Sequence, residues 1–493
     1  MTSPTPPIEL TGAAEHLRGD RAELPDGFVA GLAAICEVVT AEPAVAEASR
    51  DWWPLALHWS LAGEVPRRGG VVCRPTDVDQ IAEIARRCSA AGVPLTAAGG
   101  RSGVCGASVP LFGGVVLDTT AMAGIVAVDA RSGIVEVLPG TFGPDLESEL
   151  RERHGLTVGH WPQSMDISTV GGWVACRGAG QYSTRYGKIE DMVAGLEVVL
   201  ADGAVIRTGG APRAAVGPEL TQLFLGSEGT LGIITRVWLR AHPVPLVERR
   251  AAYGFTTFEA GVEACRSVLR SGGTPAVLRL YDGPESARSY GTDGALCVLL
   301  VLDEGEPVLV DAVMTLIDTC ATAAGASRLG DELVDKWMSH RNDTSALQGL
   351  TRKGFVVDTM EIAAPWSRLV EIFDAARAAL MGVPETRAAT CHLSHSYLDG
   401  ACLYFTFAAT PAADAIESTY VALWDAGTRA VLAHGGNLSH HHGVGLNRSR
   451  FVAEALGDGF AVLASIKAAL DPAGILNPGK LGLPSPFGEV SWP

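Results

Sequence analysis

Apolar positions along this chain fall into short alternating runs and one-sided stripes, with no long apolar block. From Gly69 the run GGVVCRP predicts a strand ended by Pro75. Thr76, with Asp79 three residues on, predicts a capped helix start; Val78, Ile81, Ala82, Ala85 and Cys88 then repeat at helical spacing until Gly92 stops them. VPLTAA predicts a second strand, which runs into the glycine-rich GGRSGVCG at residues 99–106. GGVVLD (113–118), IVAVD (125–129) and IVEVLPG (134–140) predict three more strands, the last two forming a hairpin. Residues 145–154 predict a surface helix, and 193–208 two strands around Ala-Asp-Gly.

After HPVPLVE (242–248) the texture changes to longer helical stripes, at 258–269, 307–324 and 366–380, alternating with strands such as LCVLLVL and LYFTFA. The tail, 461–482, predicts a helix stopped by Asp-Pro that packs back on the first lobe. The expected division is an amino-terminal helical segment at 1–65, an α+β unit at 66–245, a second lobe at 246–430 and a returning segment at 431–493. The first segment is Pro-rich, then partly helical, and ends in Asp51-Trp52-Trp53-Pro54 with Trp59, rings expected to pack rather than to bind.

Composition narrows the function classes. The 493 residues are 47% hydrophobic and 19% charged, with 58 glycines that show no period, so collagen-like and low-complexity readings fail. The longest apolar run, Ala295 to Leu302, is far short of the roughly 20 residues of a membrane helix, which predicts a soluble chain. The start MTSPTPPIEL lacks the basic and apolar regions of an export signal, so cytoplasm is the expected location. The ten cysteines contain no CxxC pair and are expected to be buried thiols. A net charge of −17 argues against a nucleic-acid partner and for a small molecule. A homodimer is the default assembly.

Three segments place bare backbone where a ligand could approach: 99–106, 168–180 (STVGGWVACRGAG) and 226–235 (GSEGTLGIIT). Together they predict a phosphate-bearing cofactor. The first does not fit G-x-G-x-x-G and no P-loop is present, so nicotinamide and NTPase readings fail.

Gly99-Gly100-Arg101-Ser102 after VPLTAA, PQSMDISTVGGWVACRGAG, RYGKIEDMV and FLGSEGTLGIITRVWL together resemble the FAD domain of the vanillyl-alcohol-oxidase-type flavoproteins. The resemblance runs in order from about residue 50 to residue 482, and AAPW (363–366), YLDGACLYF (397–405), LSHHHGVG (438–445) and DPAGILNPGK resemble the branch of alkyl-dihydroxyacetonephosphate synthase. It implies an α+β architecture: a two-lobed FAD-binding domain, an α+β substrate (cap) domain and a carboxy-terminal segment returning to the FAD domain. It also implies that Gly99, Gly100, Arg101, Ser102 and Gly103, with Ser164, Ser168, Thr169, Gly171 and Gly172, hold FAD, and that Glu228, Gly229, Thr230 and Ile233 lie along it. Arg101 and Ser102 stand where many relatives carry a flavin-linking histidine, so non-covalent FAD is expected.

The run His440-His441-His442 admits three readings. A polar turn is one. A metal nest is another, in which an extended segment would converge His440 and His442 and turn His441 away, with His395 as a further donor; no metal is the expectation adopted. The third is proton transfer beside an electron acceptor, and the resemblance places Tyr404, His441 and His442 at the flavin face, with His440 adjoining. Such a set suits oxidation of an alcohol or hydroxy acid by hydride transfer to the flavin, or the synthase's exchange of acyl for alkoxy through a flavin adduct. The position where that branch carries a phosphate-anchoring arginine falls on Leu347; Arg341 and Arg352 are its neighbours in sequence and, with His395, the candidate substrate residues, and the phosphate clamp is expected to be missing. The reading adopted is an FAD-dependent oxidoreductase, with the synthase-like transferase as its alternative.

Overall fold

The computed structural model describes residues 8–343, 345–489 and 492, so the Pro-rich residues 1–7 and most of the final SWP lie outside the described residues. Val71–Arg74, Val115–Asp118 and Leu95–Ala98 form a parallel sheet, with Glu37–Val39 antiparallel on its edge. The helix Val78–Ala91 buries Ile81, Ile84, Ala85 and Cys88 against it and ends at Gly92 with φ 62°. Its cap is Asp77, which accepts the Gln80 amide at 2.9 Å, and not Thr76. The Thr76 amide instead donates to the Gln80 side chain at 2.8 Å, so the turn that Thr76 was expected to close is closed one residue later.

Both hairpins of the α+β unit belong to one five-stranded antiparallel sheet. Val193–Val199 with Val205–Gly209 forms one end, Ile125–Asp129 with Ile134–Val137 the other, and Ile233–Arg240 joins them. The surface helix predicted at 145–154 begins at Gly143 and widens to a π turn over Leu150–His154.

The second lobe is a seven-stranded antiparallel sheet in the order Ser327–Leu329, Val247–Phe255, Cys297–Gly305, Val277–Tyr281, Thr386–Ser396, Gly400–Ala409, Val356–Pro365. Helices Phe258–Arg270, Pro307–Ala323, Leu369–Gly382 and Ile416–Ala433 pack on one face of it. Alternation along each strand sorts the side chains: Leu278 and Leu280 enter the helix-side core, while Arg279 and Tyr281 face the other lobe.

Two further contacts fix the lobes. Trp53 and Trp59 are buried edge to face, and the Trp53 indole donates to Tyr420 Oη at 2.9 Å, which ties the amino-terminal segment to the cap helices. The tail returns as expected: Leu95 N donates to Ile475 O at 2.8 Å and Asn477 N to Leu95 O at 2.9 Å, beside the parallel sheet. All ten cysteines are free thiols. Among the described residues no helix is long and apolar enough to cross a membrane.

Candidate active site

A cavity of about 840 Å³ lies between the lobes. Every residue expected to touch the cofactor lines it except Thr230. Thr230 is buried, and its hydroxyl donates to Ser227 O at 2.7 Å, so it closes the turn instead of facing the ligand. Thr169 and Ser168 stand beside the first loop: a Cβ on Gly100 would meet Ile167 O at 2.2 Å, and one on Gly99 would meet Thr169 Oγ1 at 2.4 Å. At Gly100 the obstructing atom is backbone and at Gly99 it is the buried Thr169 hydroxyl, so both positions leave room only for glycine.

This wall fits FAD on three observations. Gly229 has φ +74°, and a Cβ added to it would meet only Ala97, at 3.8 Å, so its backbone borders open cavity. Among the described residues the Ser102 and Gly103 amides find no backbone acceptor, which leaves consecutive donors for phosphate oxygens. The buried Trp52 Nε1, Ser108 Oγ and both ring nitrogens of His160 lie on the same wall with no protein hydrogen bond, and buried polar groups in that state call for a ligand. Arg101, at φ 53°, is buried 3.8 Å from Asp118.

The cap wall is one rung of the sheet. Tyr281 is paired with His392, His392 with Tyr404, and Tyr404 with Glu361, so four strands bring these residues into one row. Tyr404 stacks on His392 with ring centroids 4.7 Å apart and donates to Thr359 Oγ1 at 3.1 Å. Burial, with Arg279 nearby, pushes His392 down to about 4, and its Nδ1 lies 3.1 Å from Glu285 Oε1. Arg279 donates to Tyr281 Oη at 2.6 Å. Arg279, Arg288, Lys336 and Arg341 all line this end of the cavity.

Two carboxylates hold the histidine loop. Glu361, fully buried, accepts from Ser439 Oγ at 2.7 Å, His441 N at 3.0 Å and His442 N at 2.8 Å, and pairs with Arg448. Burial opposes its charge, but the Arg448 guanidinium and the adjoining histidines outweigh that and hold the carboxyl well below its usual range. Glu228 accepts the Val444 amide at 2.6 Å and that of Gly445 at 2.9 Å, so although it lines the cavity its carboxylate is spent on the loop. The segment bends rather than extending, which overturns the expected alternation: His440 and His441 converge, Nδ1 to Nδ1 at 2.8 Å, and His442 turns its Nδ1 to within 3.0 Å of Glu361.

His395, at φ 51°, joins the pair; its Nδ1 lies 2.7 Å from Ser183 Oγ. Each of the three rings offers a nitrogen within 4.8 Å of the others, the geometry of a cation nest, though with a different membership from the one expected. Burial, reinforced by neighbouring cations and histidines, keeps His395, His440 and His441 well below the usual histidine range, so their rings are neutral. His395, His441, His442 and Tyr404 line the cavity, whereas His440 sits behind them. Of the substrate candidates, Arg341 and Leu347 line the cavity and Arg352 does not. The expected loss of cationic anchoring at Leu347 is therefore local, since four other cations face the same space. Glu361, His392 and Arg279 escaped sequence reasoning; the available signal was a polar residue at alternate positions of an apolar strand, as in VLRLY and ATCHLSHS.

Two lobes, a glycine-lined cavity and a row of histidine and tyrosine side chains are the architecture of a two-lobed enzyme that binds a cofactor between its lobes. Residues 70–209 match the family model described as FAD binding domain, and residues 244–481 the one described as FAD linked oxidases, C-terminal domain. An uncharacterized FAD-linked oxidoreductase of Escherichia coli O157:H7, YgcU, is 32% identical over 408 residues, covering 79% of this chain and 83% of that protein. The alkyldihydroxyacetonephosphate synthase of Trypanosoma brucei brucei is 29% identical over 484 residues, covering 90% of this chain and 77% of the relative. A solved alkyldihydroxyacetonephosphate synthase structure shares the fold, with a TM-score of 0.78 over 96% of this chain and 89% of that one at 24% identity. The chain belongs to the FAD-linked oxidoreductase family, and its class is that of an FAD-dependent oxidoreductase.

Proposed function

We propose that the protein oxidises a small hydroxy acid, with its cap wall removing the hydroxyl proton as a hydride leaves the carbon. The observation that carries this reading is a set of neutral imidazoles and Tyr404 in the same cavity as the glycine wall and Arg279. Bound FAD would supply the two-electron acceptor. Arg279 would hold the substrate carboxylate, its guanidinium already fixed by Tyr281. His441, kept neutral by burial, would accept the hydroxyl proton, and Tyr404 would orient the same oxygen by hydrogen bonding. The cofactor would be dissociable, because Arg101 and Ser102 offer no linking group in the first loop; acid precipitation should leave all flavin in the supernatant.

The test is anaerobic titration of the holoprotein with a panel of 2-hydroxy acids and alcohols, followed by flavin absorbance. Bleaching by hydroxy acids that Tyr404→Phe slows by about 10²-fold or more supports the reading; a flavin that stays oxidised throughout overturns it. One observation favours the synthase-like exchange instead: Arg279, Arg288, Lys336 and Arg341 could hold a phosphate although position 347 is leucine. That reading expects no bleaching, and turnover of a phosphorylated acyl donor with a fatty alcohol.

A further inference from the structure

Of the tryptophans between residues 52 and 59, Trp53 and Trp59 are buried against each other, as expected of packing rings. Trp52 departs from that expectation: it lines the cavity, and its enclosed Nε1 has no hydrogen-bond partner among the described residues. Asp51 beside it is 1% exposed and lines the same cavity. Its Oδ1 accepts the Trp53 amide at 3.1 Å, and its Oδ2 faces Gly103, where an added Cβ would meet nothing nearer than that oxygen, at 3.6 Å. The Trp52 amide donates to Gly103 O at 2.8 Å and pins the segment to the first glycine loop. Asp51 Oδ2 has no partner among the described residues, and neither has Ser108 Oγ farther along that loop. A carboxylate oxygen enclosed without a donor is among the costliest groups for a fold to leave unmet, so this corner of the wall calls for a ligand that donates.

We propose that Asp51 and Trp52 belong to the cofactor site and hold sugar hydroxyls of FAD, with Asp51 Oδ2 accepting from a hydroxyl and Trp52 Nε1 donating to the sugar chain. The chemistry of the pair selects the ligand group. A carboxylate only accepts and an indole N–H only donates. A phosphate oxygen suits the free amides of Ser102 and Gly103, but its negative charge is repelled by Asp51. A hydroxyl both donates and accepts, so it satisfies Asp51 and Trp52 alike. FAD carries hydroxyls on its ribityl chain and on its adenosine ribose, the two groups joined directly to the pyrophosphate. Asp51 Oδ2 stands beside Gly103, whose amide is free for that pyrophosphate, so the donor it meets belongs to a group adjoining the phosphates. Neither residue lies in a glycine segment, and the segment reaches the cavity only because Trp52 is bonded to Gly103.

The assignment concerns FAD and not the substrate, so binding alone tests it. Flavin fluorescence is followed as the FAD-free full chain is added, at about pH 8.5, because burial pushes the Asp51 carboxyl up to about 7 and the group is ionised above that. The probes are FAD, analogues that each lack one ribityl hydroxyl, and analogues that each lack one hydroxyl of the adenosine ribose. Asp51→Asn keeps an oxygen for the Trp53 amide and puts an NH2 in place of Oδ2. It should bind FAD about 10-fold or more weakly than the wild-type chain does. One analogue should lose a similar factor on the wild-type chain yet bind Asp51→Asn as well as FAD does, the non-additivity of two groups in contact. A ribityl analogue in that role assigns the hydroxyl to the ribityl chain and a ribose analogue to the adenosine; either upholds the proposal. Unchanged FAD affinity in Asp51→Asn overturns it. So does a loss that simply adds to that of every analogue, because Asp51 would then shape the loop without touching the ligand. Should Asp51→Asn fail to fold, Trp52→Phe removes Nε1 and keeps a ring; it must weaken FAD and couple to one of the same analogues, and unchanged or additive binding there overturns the proposal.

Discussion

On the amino-terminal wall of the cavity much of the lining is bare backbone, at Gly99, Gly100, Gly172 and Gly229, with the Trp52, Ser108 and His160 side chains among it; on the cap wall it is side chains, Arg279, Tyr404, His395 and His441, each carried by a different strand or loop. The glycine part of the first wall allows close approach, which any added atom spoils, and it cannot be removed singly. The second wall divides its chemistry among side chains held by buried carboxylates, so each can be changed while the cavity stays. Binding and reaction should therefore separate by mutation.

The largest effect is expected on the backbone wall. Gly100→Val would drive a Cβ to 2.2 Å from Ile167 O, backbone that cannot swing aside, and should yield protein without yellow colour; the flavin-to-protein absorbance ratio reads this directly. Next comes the frame of the cap wall. Glu361→Gln leaves the Arg448 guanidinium buried without its counter-charge and should cost about 3–5 kcal/mol in urea unfolding. Tyr404→Phe should keep FAD affinity and lower the rate of flavin reduction by about 10²-fold or more, which breaks the comparison if affinity falls instead. Arg279→Met should raise KM by about 10-fold or more with little change in FAD content, from loss of a charge-assisted contact of roughly 1.5–3 kcal/mol.

The last effect is graded with pH. Burial depresses His160 to about 3 and His392 to about 4, from an ordinary value of 6.5. Above 6.5 both are neutral in the folded and unfolded chains and their contribution is fully present. As pH falls below that value only the unfolded chain takes up the protons, so stability drops by about 1.4 kcal/mol per unit for each histidine. The fall continues to about pH 4 for His392 and about pH 3 for His160. Urea midpoints at pH 7 and pH 5 check the sign, and His392→Gln should flatten the slope.

How legible each wall is follows the same division. The first loop, the 168–172 segment and Gly229 are contiguous glycine motifs placed by neighbouring strands and helices, visible in the sequence through their bare backbone and the resemblance they carry, and all of them line the cavity. Thr230 does not line the cavity, and its hydroxyl closes a local turn that sequence cannot distinguish from a ligand contact. The rung Tyr281, His392, Tyr404 and Glu361 is set by strand register between segments far apart in the chain, and a one-residue slip would turn each side chain to the other face. The histidine loop shows the limit most plainly: its three residues are obvious in sequence, but their directions are imposed by amide hydrogen bonds to Glu228 and Glu361.

By itself the sequence determined the α+β alternation, the two hairpins, the glycine segments and the returning tail, because each depends on local backbone preference and on the period of apolar residues. It also carried the resemblance that names FAD. Tertiary structure alone decided which histidines meet, that Glu228 serves the loop, and that Arg279, Arg288, Lys336 and Arg341 line the same cavity as Leu347. Those facts rest on contacts between residues tens to hundreds of positions apart, and such contacts exist only once burial has fixed strand register and made every buried donor find its acceptor.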